Sequence, residues 1–289
     1  MAQARKKRRS PAAPTQSEQG IIEGFLREAI KGIGNPQVLV LGVTPELRQI
    51  ALNNGCWVVS VDISSDMIKA MRDLVDCQDR ERDKIIQGNW LTVPFEDNTF
   101  DLVLGDASFV NLSSFGDAEK LLLKLNRVLK LDGHLLLHEL VYLPDKKKTF
   151  EQIAADYRAG KTKWPDFYVE MRFLAFFDDF YNPKTKIFPM AEVFREIEKK
   201  FKAGEITEQE FQGLKTLDTK VNNLLFLREE FEGLLNRDFS VIAVKSGEEF
   251  NYCQYFPAFL AKAKEKKDGS FACTESQRCF FVDLRKKRV

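Results

Sequence analysis

Residues 36–62 read PQVLVLGVTPELRQIALNNGCWVVSVD, a pattern of strand, tight turn, helix and strand. Val38 to Leu41 form the continuous apolar run that a parallel strand needs when both its faces are covered. Gly42 ends that run. Leu47, Ile50 and Ala51 then recur at helical spacing, Asn53, Asn54 and Gly55 stop the helix, and Trp57 to Val61 begin a second apolar run that Asp62 closes. A glycine turn followed about 20 residues later by a carboxylate is the spacing of a βαβ nucleotide-binding unit. In such a unit the backbone meets ligand at the turn, and the acid accepts hydrogen bonds from ribose hydroxyls.

The turn itself narrows the choice of nucleotide. A dinucleotide loop reads GxGxxG so that backbone can approach a pyrophosphate, whereas Val43, Thr44, Pro45 and Glu46 follow Gly42 here. Glu46 falls near the helix N-terminus, where its carboxylate competes with a cofactor phosphate for the positive end of the helix dipole. A cofactor without phosphates, carrying a sulfonium and an amino acid tail, conflicts less with that carboxylate. The residues therefore point to S-adenosylmethionine rather than NAD or FAD.

Outward from this unit, residues 17–34 predict an amphipathic helix on the sheet edge, through Ile21, Ile22, Phe25, Leu26 and Ile30. Ser64 or Ser65 caps a helix through about Leu74, Lys84 to Gln87 form a third strand, and Phe100 to Leu104 a fourth. Gly105, Asp106 and Ala107 lie just beyond it, at the edge where open α/β sheets bind ligands. A helix from Asp117 leads to a fifth strand, Leu135 to Val141. Residues 144–237 show no convincing strand and read as helices over 149–159, 167–180, 191–201 and 208–235, a helical cap over the C-terminal edge of the sheet. Phe239 to Lys245 predict a sixth strand, Pro257 to Lys266 a helix, and Arg278 to Leu284 a final strand. The expected architecture is an α/β fold, a Rossmann-like doubly wound seven-stranded sheet, mostly parallel with an antiparallel edge hairpin and a helical insertion between strands five and six. The expected division is a basic tail at 1–15, a nucleotide-binding core at 16–143, the cap at 144–237 and closing strands at 238–289.

Composition sets broad limits. Lys plus Arg is 44 against 43 Asp plus Glu, so no global field draws the chain to nucleic acid or an anionic membrane. Positive charge concentrates in Arg5 to Arg9 and Arg285 to Arg288, and the basic tail is the only feature that suits nucleic acid. The cysteines are five, an odd number without a CxxC pair, which suggests neither a disulfide framework nor a zinc site, and no metal is expected. No apolar run approaches the roughly 20 residues of a membrane span, and no signal-peptide core follows the charged start. The expected compartment is the cytoplasm.

In order, VLVLG (38–42), VVSVD (58–62), IIQGNWLTVPFEDNTFDLVLGD (85–106) and VLKLDGHLLLHEL (128–140) resemble the successive motifs of class I S-adenosylmethionine-dependent methyltransferases. The resemblance covers roughly residues 20–141 and the closing strands, and LTVPFEDNTFDLV is its strongest phrase. It implies that Gly42 and the backbone of Val43 and Thr44 face the methionine part of the cofactor. Asp62 would hold the ribose hydroxyls, Ile63 and Met67 would pack on the adenine, and Asn89 would stand where the family commonly has an Asp for the adenine amino group. Trp90 would neighbour the ring, and Asp106 and Ala107 would lie beneath the transferring methyl. The chain departs from the family at Val40, where an acid is usual, and at Thr44 and Glu46, where glycines are usual; Glu46 could supply a replacement charge for the cofactor's amino group.

Methyl transfer needs alignment and desolvation more than a dedicated base. Where a nucleophile must lose a proton, Asp106 and His138 are the candidates, both at strand ends on the ligand edge. A histidine within LLLHELV is otherwise a hydrogen-bonded structural residue, and Asp106 a turn-stabilising one. The aromatic residues of the cap read chiefly as its core, with a subset able to line a pocket for a small-molecule acceptor. Two further readings stay open: a catalytically inactive cofactor-binding or scaffold protein, and another enzyme on the same fold. For the latter, Asp106 with Glu139 is a thin version of the acidic row that a polyamine would want, and NAD chemistry is the other possibility.

Overall fold

The computed structural model describes residues 13–215 and 222–264. The first elements are α1 (Gln16–Ala29), β1 (Gln37–Leu41), α2 (Pro45–Asn53), β2 (Trp57–Asp62), α3 (Ser65–Met71) and β3 (Asp83–Gln87). Then come β4 (Phe100–Asp106), α4 (Phe115–Val128), β5 (Leu129–His138) and β6 (Val141–Tyr142). The middle of the chain holds α5 (Phe150–Arg158), α6 (Trp164–Phe173), α7 (Phe177–Phe180), β7 (Ile187–Pro189), α8 (Met190–Lys202) and α9 (Glu208–Leu214). It closes with β8 (Asn222–Leu224), β9 (Phe226–Leu227), α10 (Arg228–Asp238), β10 (Phe239–Lys245) and β11 (Ala258–Ala263).

Local chemistry sets several of the helix starts. Ser64 accepts the Met67 amide ahead of α3, and Ser114 accepts that of Asp117 ahead of α4. Thr15, Thr149 and Thr207 each form a full capping box with the Glu18, Gln152 and Glu210 side chains. Thr15, the last residue of the expected tail, is thus a buried cap; residues 1–12 lie outside those described.

Seven strands form one sheet in the order β10-β11-β5-β4-β1-β2-β3. The β3-β2-β1-β4-β5 ladders are parallel, while β11 runs antiparallel to both β5 and β10. Because the chain builds outward from β1 through β3 and then returns to the other side of β1 with β4, the order reverses between β1 and β4. The C-terminal ends of those two strands are therefore where this topology opens a crevice. Two apolar layers flank the sheet. One holds Leu39, Val103 and Leu137 with the inner face of α4 and with Phe231, Leu234 and Leu235 of α10; the other packs Val38, Leu102 and Leu136 against α1 and α2.

Two expectations need correction, and one falls where nothing is described. The helix expected over 257–266 is strand β11, because the Ala and Lys helix propensity of AFLAKA yields to the place in the sheet between β5 and β10, where Phe259 and Leu260 are fully buried. The final strand expected at 278–284 lies outside the described residues. Residues 144–237 do contain strands: β7 pairs with β8 antiparallel, and β9 pairs in parallel with β6 just before the span, each two or three residues long and too short to leave a periodic signature. Two boundaries also move. β4 runs through Asp106, and β5 starts at Leu129, with a register irregularity opposite Phe100 to Leu102.

Helices α5 to α9 pack on their own apolar cluster, which includes Phe150, Phe167, Phe188 and Phe211 and continues through Val110, Leu140 and Tyr142 at the C-terminal edge of the main sheet. The helices of this region thus reach that edge. By contrast, α10, at the end of the span expected as cap, buries Phe231 and Leu235 in the core of the main sheet.

Candidate functional site

The end of β1 turns at Gly42, whose φ of 92° is in the left-handed region that a side chain resists. Its N–H donates to the Val61 carbonyl at 2.7 Å, tying the turn to the end of β2. A Cβ at Gly42 would stand 3.8 Å from Asp62 Oδ2 and 3.9 Å from the Trp90 ring. Glycine turn, strand-end carboxylate and indole thus meet at one point of the C-terminal edge. Val43 is buried behind the turn, Thr44 is the N-cap position of α2, and Glu46 sits half-buried in the first turn of that helix with its Oε2 shielded from solvent.

Asp62 uses Oδ1 to accept the Ser64 amide at 2.8 Å, an Asx turn that fixes the carboxylate and leaves Oδ2 facing Gly42. Ile63 stands 66% exposed on the rim, and Met67 is half-buried against Val43, Ile68 and Met71. Asn89 is exposed, and its Oδ1 accepts the Leu91 amide at 2.8 Å; of two acceptor lone pairs, one is thereby used. Trp90 folds inward: Nε1 donates to the Val61 carbonyl at 2.7 Å, and the ring lines a small cavity with Leu39, Leu41 and Phe95.

Across the crevice, β4 ends in Gly105, Asp106 and Ala107. A Cβ at Gly105 would come within 2.5 Å of Ser108 Oγ and 2.7 Å of Leu137 Cδ2, so close packing demands the glycine. Ala107 has φ 47°, a left-handed backbone that a non-glycine residue adopts only under tertiary constraint, here the donation of its N–H to the His138 carbonyl at 2.8 Å.

His138 is buried with a carboxylate at each ring nitrogen. Nδ1 lies 2.8 Å from Asp106 Oδ1, and Nε2 lies 3.3 Å from Glu18 Oε1. Burial favours the neutral ring, but the hydrogen bonds and charges of Asp106 and Glu18 outweigh it and push the imidazole up to about 10. Glu18 is itself buried; burial raises its carboxyl, and the opposing pull of His138 and of the Thr15 backbone holds it below the usual range. Nδ1 is at hydrogen-bond distance from Asp106, while Nε2 meets Glu18 as a charge contact without hydrogen-bond geometry; the two carboxylates together favour the protonated ring, which makes His138 a poor base.

The neighbouring Glu139 accepts the Ser108 and Phe109 amides at 2.7 and 3.1 Å, capping the short turn Phe109–Asn111. Burial pushes its carboxyl up to about 8 against those two donors. Its oxygens face backbone, so it forms no acidic row with Asp106.

These shifts have a stability consequence. Both groups bind protons more tightly folded than unfolded, so each stabilises the fold below its ordinary value and loses that contribution as pH rises: from 4.5 to about 8 for Glu139, and from 6.5 to about 10 for His138. Stability is expected to fall on raising the pH from neutral towards 10, by up to about 1.4 kcal/mol per pH unit for each group. Urea unfolding across that range should show the decline, and His138→Gln should make it shallower from pH 6.5 and flatten it above about 8, where the Glu139 contribution also ends.

The sequence singled out both ends of the His138 pair with Asp106 but missed Glu18. The S-E-Q run before the first apolar residues signals a helix start, and nothing in it tells that the same carboxylate reaches β5. Among the described residues, no three His, Cys, Asp or Glu side chains are grouped as a metal ion would require, and no helix is long and apolar enough to cross a membrane.

Residues 41–137, about a third of the chain, match the methyltransferase-domain family. No curated protein matches the chain. Among solved structures, the N-methyltransferase NodS of Bradyrhizobium japonicum WM9, crystallised with S-adenosylhomocysteine, aligns with a TM-score of 0.51 at 10% identity, over 91% of this chain and 97% of its own. Geranyl diphosphate C-methyltransferase of Streptomyces coelicolor A3(2) aligns with a TM-score of 0.51 at 10% identity, over 86% of this chain and 76% of its own. A Rhodobacter sphaeroides protein whose name places it among Zn-dependent alcohol dehydrogenases aligns at 0.55 with 15% identity, over 89% of this chain and 92% of its own. At such identities the likeness is one of fold.

Proposed function

In a chain that carries a methyltransferase domain at residues 41–137, on the fold of class I S-adenosylmethionine-dependent methyltransferases, we propose that the crevice between β1 and β4 binds S-adenosylmethionine and transfers its methyl group to a small-molecule acceptor. The observation that carries this reading is the meeting of Gly42 and Asp62 Oδ2 at the sheet's switch point. A turn with positive φ and no side chain lets backbone come close to a ligand, and the anchored carboxylate suits a ribose diol. The donor set thus fits the cofactor.

In this reading Gly42, Val43 and Thr44 meet the amino acid tail, and Glu46 supplies charge for its amino group. Asp62 holds the ribose, Ile63 and Met67 cover one face of the adenine, and Asn89 offers its remaining lone pair at the ring edge. Trp90 supports the pocket from within, since its indole is tied to Val61. The cofactor when bound supplies an electrophilic methyl on sulfur. The protein's part is alignment and exclusion of water, to which the helices reaching the C-terminal edge contribute. Asp106 and Ala107 lie beneath the transferring methyl, between cofactor and acceptor; there Asp106 contacts the cofactor and orients the acceptor, and His138 serves as hydrogen-bond donor to Asp106 rather than as base.

The test is calorimetry of the purified chain with S-adenosylmethionine and S-adenosylhomocysteine. Micromolar binding of both is expected; absence of binding at millimolar ligand by folded protein would overturn the proposal. Thr44 and Glu46 in place of two small residues favour a second reading, an inactive cofactor-binding protein. Tight cofactor binding without methyl transfer to any of a broad panel of amines, alcohols, thiols and carboxylates would select it.

A further inference from the structure

The least expected feature of the site is the line of charge Glu18–His138–Asp106, which joins the N-terminal helix to the crevice through two strands. Glu18 is 2% exposed, and a buried carboxylate of this kind needs compensation. One oxygen, Oε2, accepts the Thr15 N–H at 2.7 Å as the capping box requires; the other faces His138 Nε2. Capping alone would be served by Glu18 at the surface, as Gln152 serves α5 from a more exposed position. The Phe256 ring lies against the imidazole, with centroids 5.8 Å apart. Gly247 packs so closely on Glu18 that a Cβ there would stand 2.7 Å from its Cγ. The Thr15 cap and the connection between β10 and β11 therefore clamp the Glu18–His138 contact, while the other end of the line, Asp106, borders the crevice.

We propose that Glu18 is a positioning residue: through the ring of His138 it orients the Asp106 carboxylate at the methyl-transfer edge, so that docking of α1 completes the site. This rests on the methyltransferase reading for its function, though not for the existence of the relay. The groups that face His138 are Asp106 from β4 and Glu18 from α1; Glu139 adjoins it in the chain, and Cys253 lies beside Glu18. Glu18 is the one of these that removes a charge from the line without touching the crevice.

The test compares the full chain with Glu18→Gln, a variant of equal size whose amide oxygen can still accept the Thr15 N–H. Nitrogen-15 NMR of labelled imidazole reports the His138 proton directly. In the wild type both ring nitrogens should stay protonated well above the ordinary midpoint of 6.5. In Glu18→Gln the midpoint should drop by about 1–2 pH units, as expected on losing one adjacent opposite charge. S-adenosylhomocysteine titrated into the same samples should bind the variant more weakly, and Asp106→Asn should show a comparable loss. If Glu18→Gln does not fold, the wild-type titration still decides the first step, because an ordinary midpoint there overturns the relay. An unchanged midpoint in a folded variant overturns it too, as does a lowered midpoint with unchanged ligand affinity, which would leave Glu18 a structural partner only. Failure of the wild type to bind S-adenosylhomocysteine would instead remove the methyltransferase reading, with the NMR result still deciding whether the relay exists.

Discussion

Arg48→Met is expected to cost about 3–5 kcal/mol of stability, the usual penalty for removing one partner of a buried ion pair. Arg48 is fully buried although α2 is a surface helix. Its guanidinium donates to Asp83 Oδ1 at 3.1 Å and to Oδ2 at 2.5 Å, a two-pronged contact with a carboxylate that is itself 2% exposed. It also donates to the Met71 and Arg72 carbonyls at 3.0 and 3.2 Å, where α3 tightens into the 3-10 turn Arg72–Leu74. One side chain thus ties α2, the end of α3 and the first residue of the edge strand β3. Methionine fills a similar volume but leaves a buried charge unanswered and takes a donor from each of the two carbonyls. The melting temperature should fall by roughly 10 °C, at the 2–4 °C per kcal/mol typical of chains of this size. Arg48→Met/Asp83→Val should recover only part of the loss, since the charge is gone and the two carbonyls remain. Full recovery by the double variant would show that the carbonyl contacts contribute nothing.

Asp62→Ala is expected to weaken S-adenosylmethionine binding by about 1.5–3 kcal/mol, the usual worth of hydrogen bonds to a charged group, or roughly 10- to 150-fold in Kd. The fold should tolerate the change better than the ligand does. Asp62 is half-buried at a strand end, and the change removes the Ser64 contact at 2.8 Å, while the separate cap of α3 by Ser64 remains. Calorimetry checks the affinity and thermal melting the fold. Unchanged affinity in a folded variant would reject the placement of the ribose at Asp62.

The contrast between β1 and β11 shows what local pattern can carry. VLVL reads as a buried parallel strand because all four side chains are apolar and a glycine turn bounds the run. AFLAKA has equal burial at its start, yet alanine and lysine favour helix, and only the open place between β5 and β10 makes it a strand. The same limit applies to β6 to β9, whose two or three residues per strand are held by partners distant in the chain. At the site, Gly42 and Asp62 stand out because the helix between them sets a fixed spacing. Trp90 stood out as a neighbour of the crevice, but its inward rotation depends on the Val61 carbonyl, which no spacing within 85–106 reveals.

By itself the sequence determined the alternation of strands and helices from Val38 to Leu137, the switch point that follows from it, and the glycine and acid that meet at that crevice. Those are properties of periodicity and of turn chemistry, which act over a few residues. Only the tertiary structure decided that His138 stands between two carboxylates that favour its protonated form, because that depends on Glu18, 120 positions earlier in the chain, arriving at 3.3 Å. Electrostatic character in a buried site is set by which charges share the same low-dielectric volume, and folding brings those together irrespective of their order along the chain.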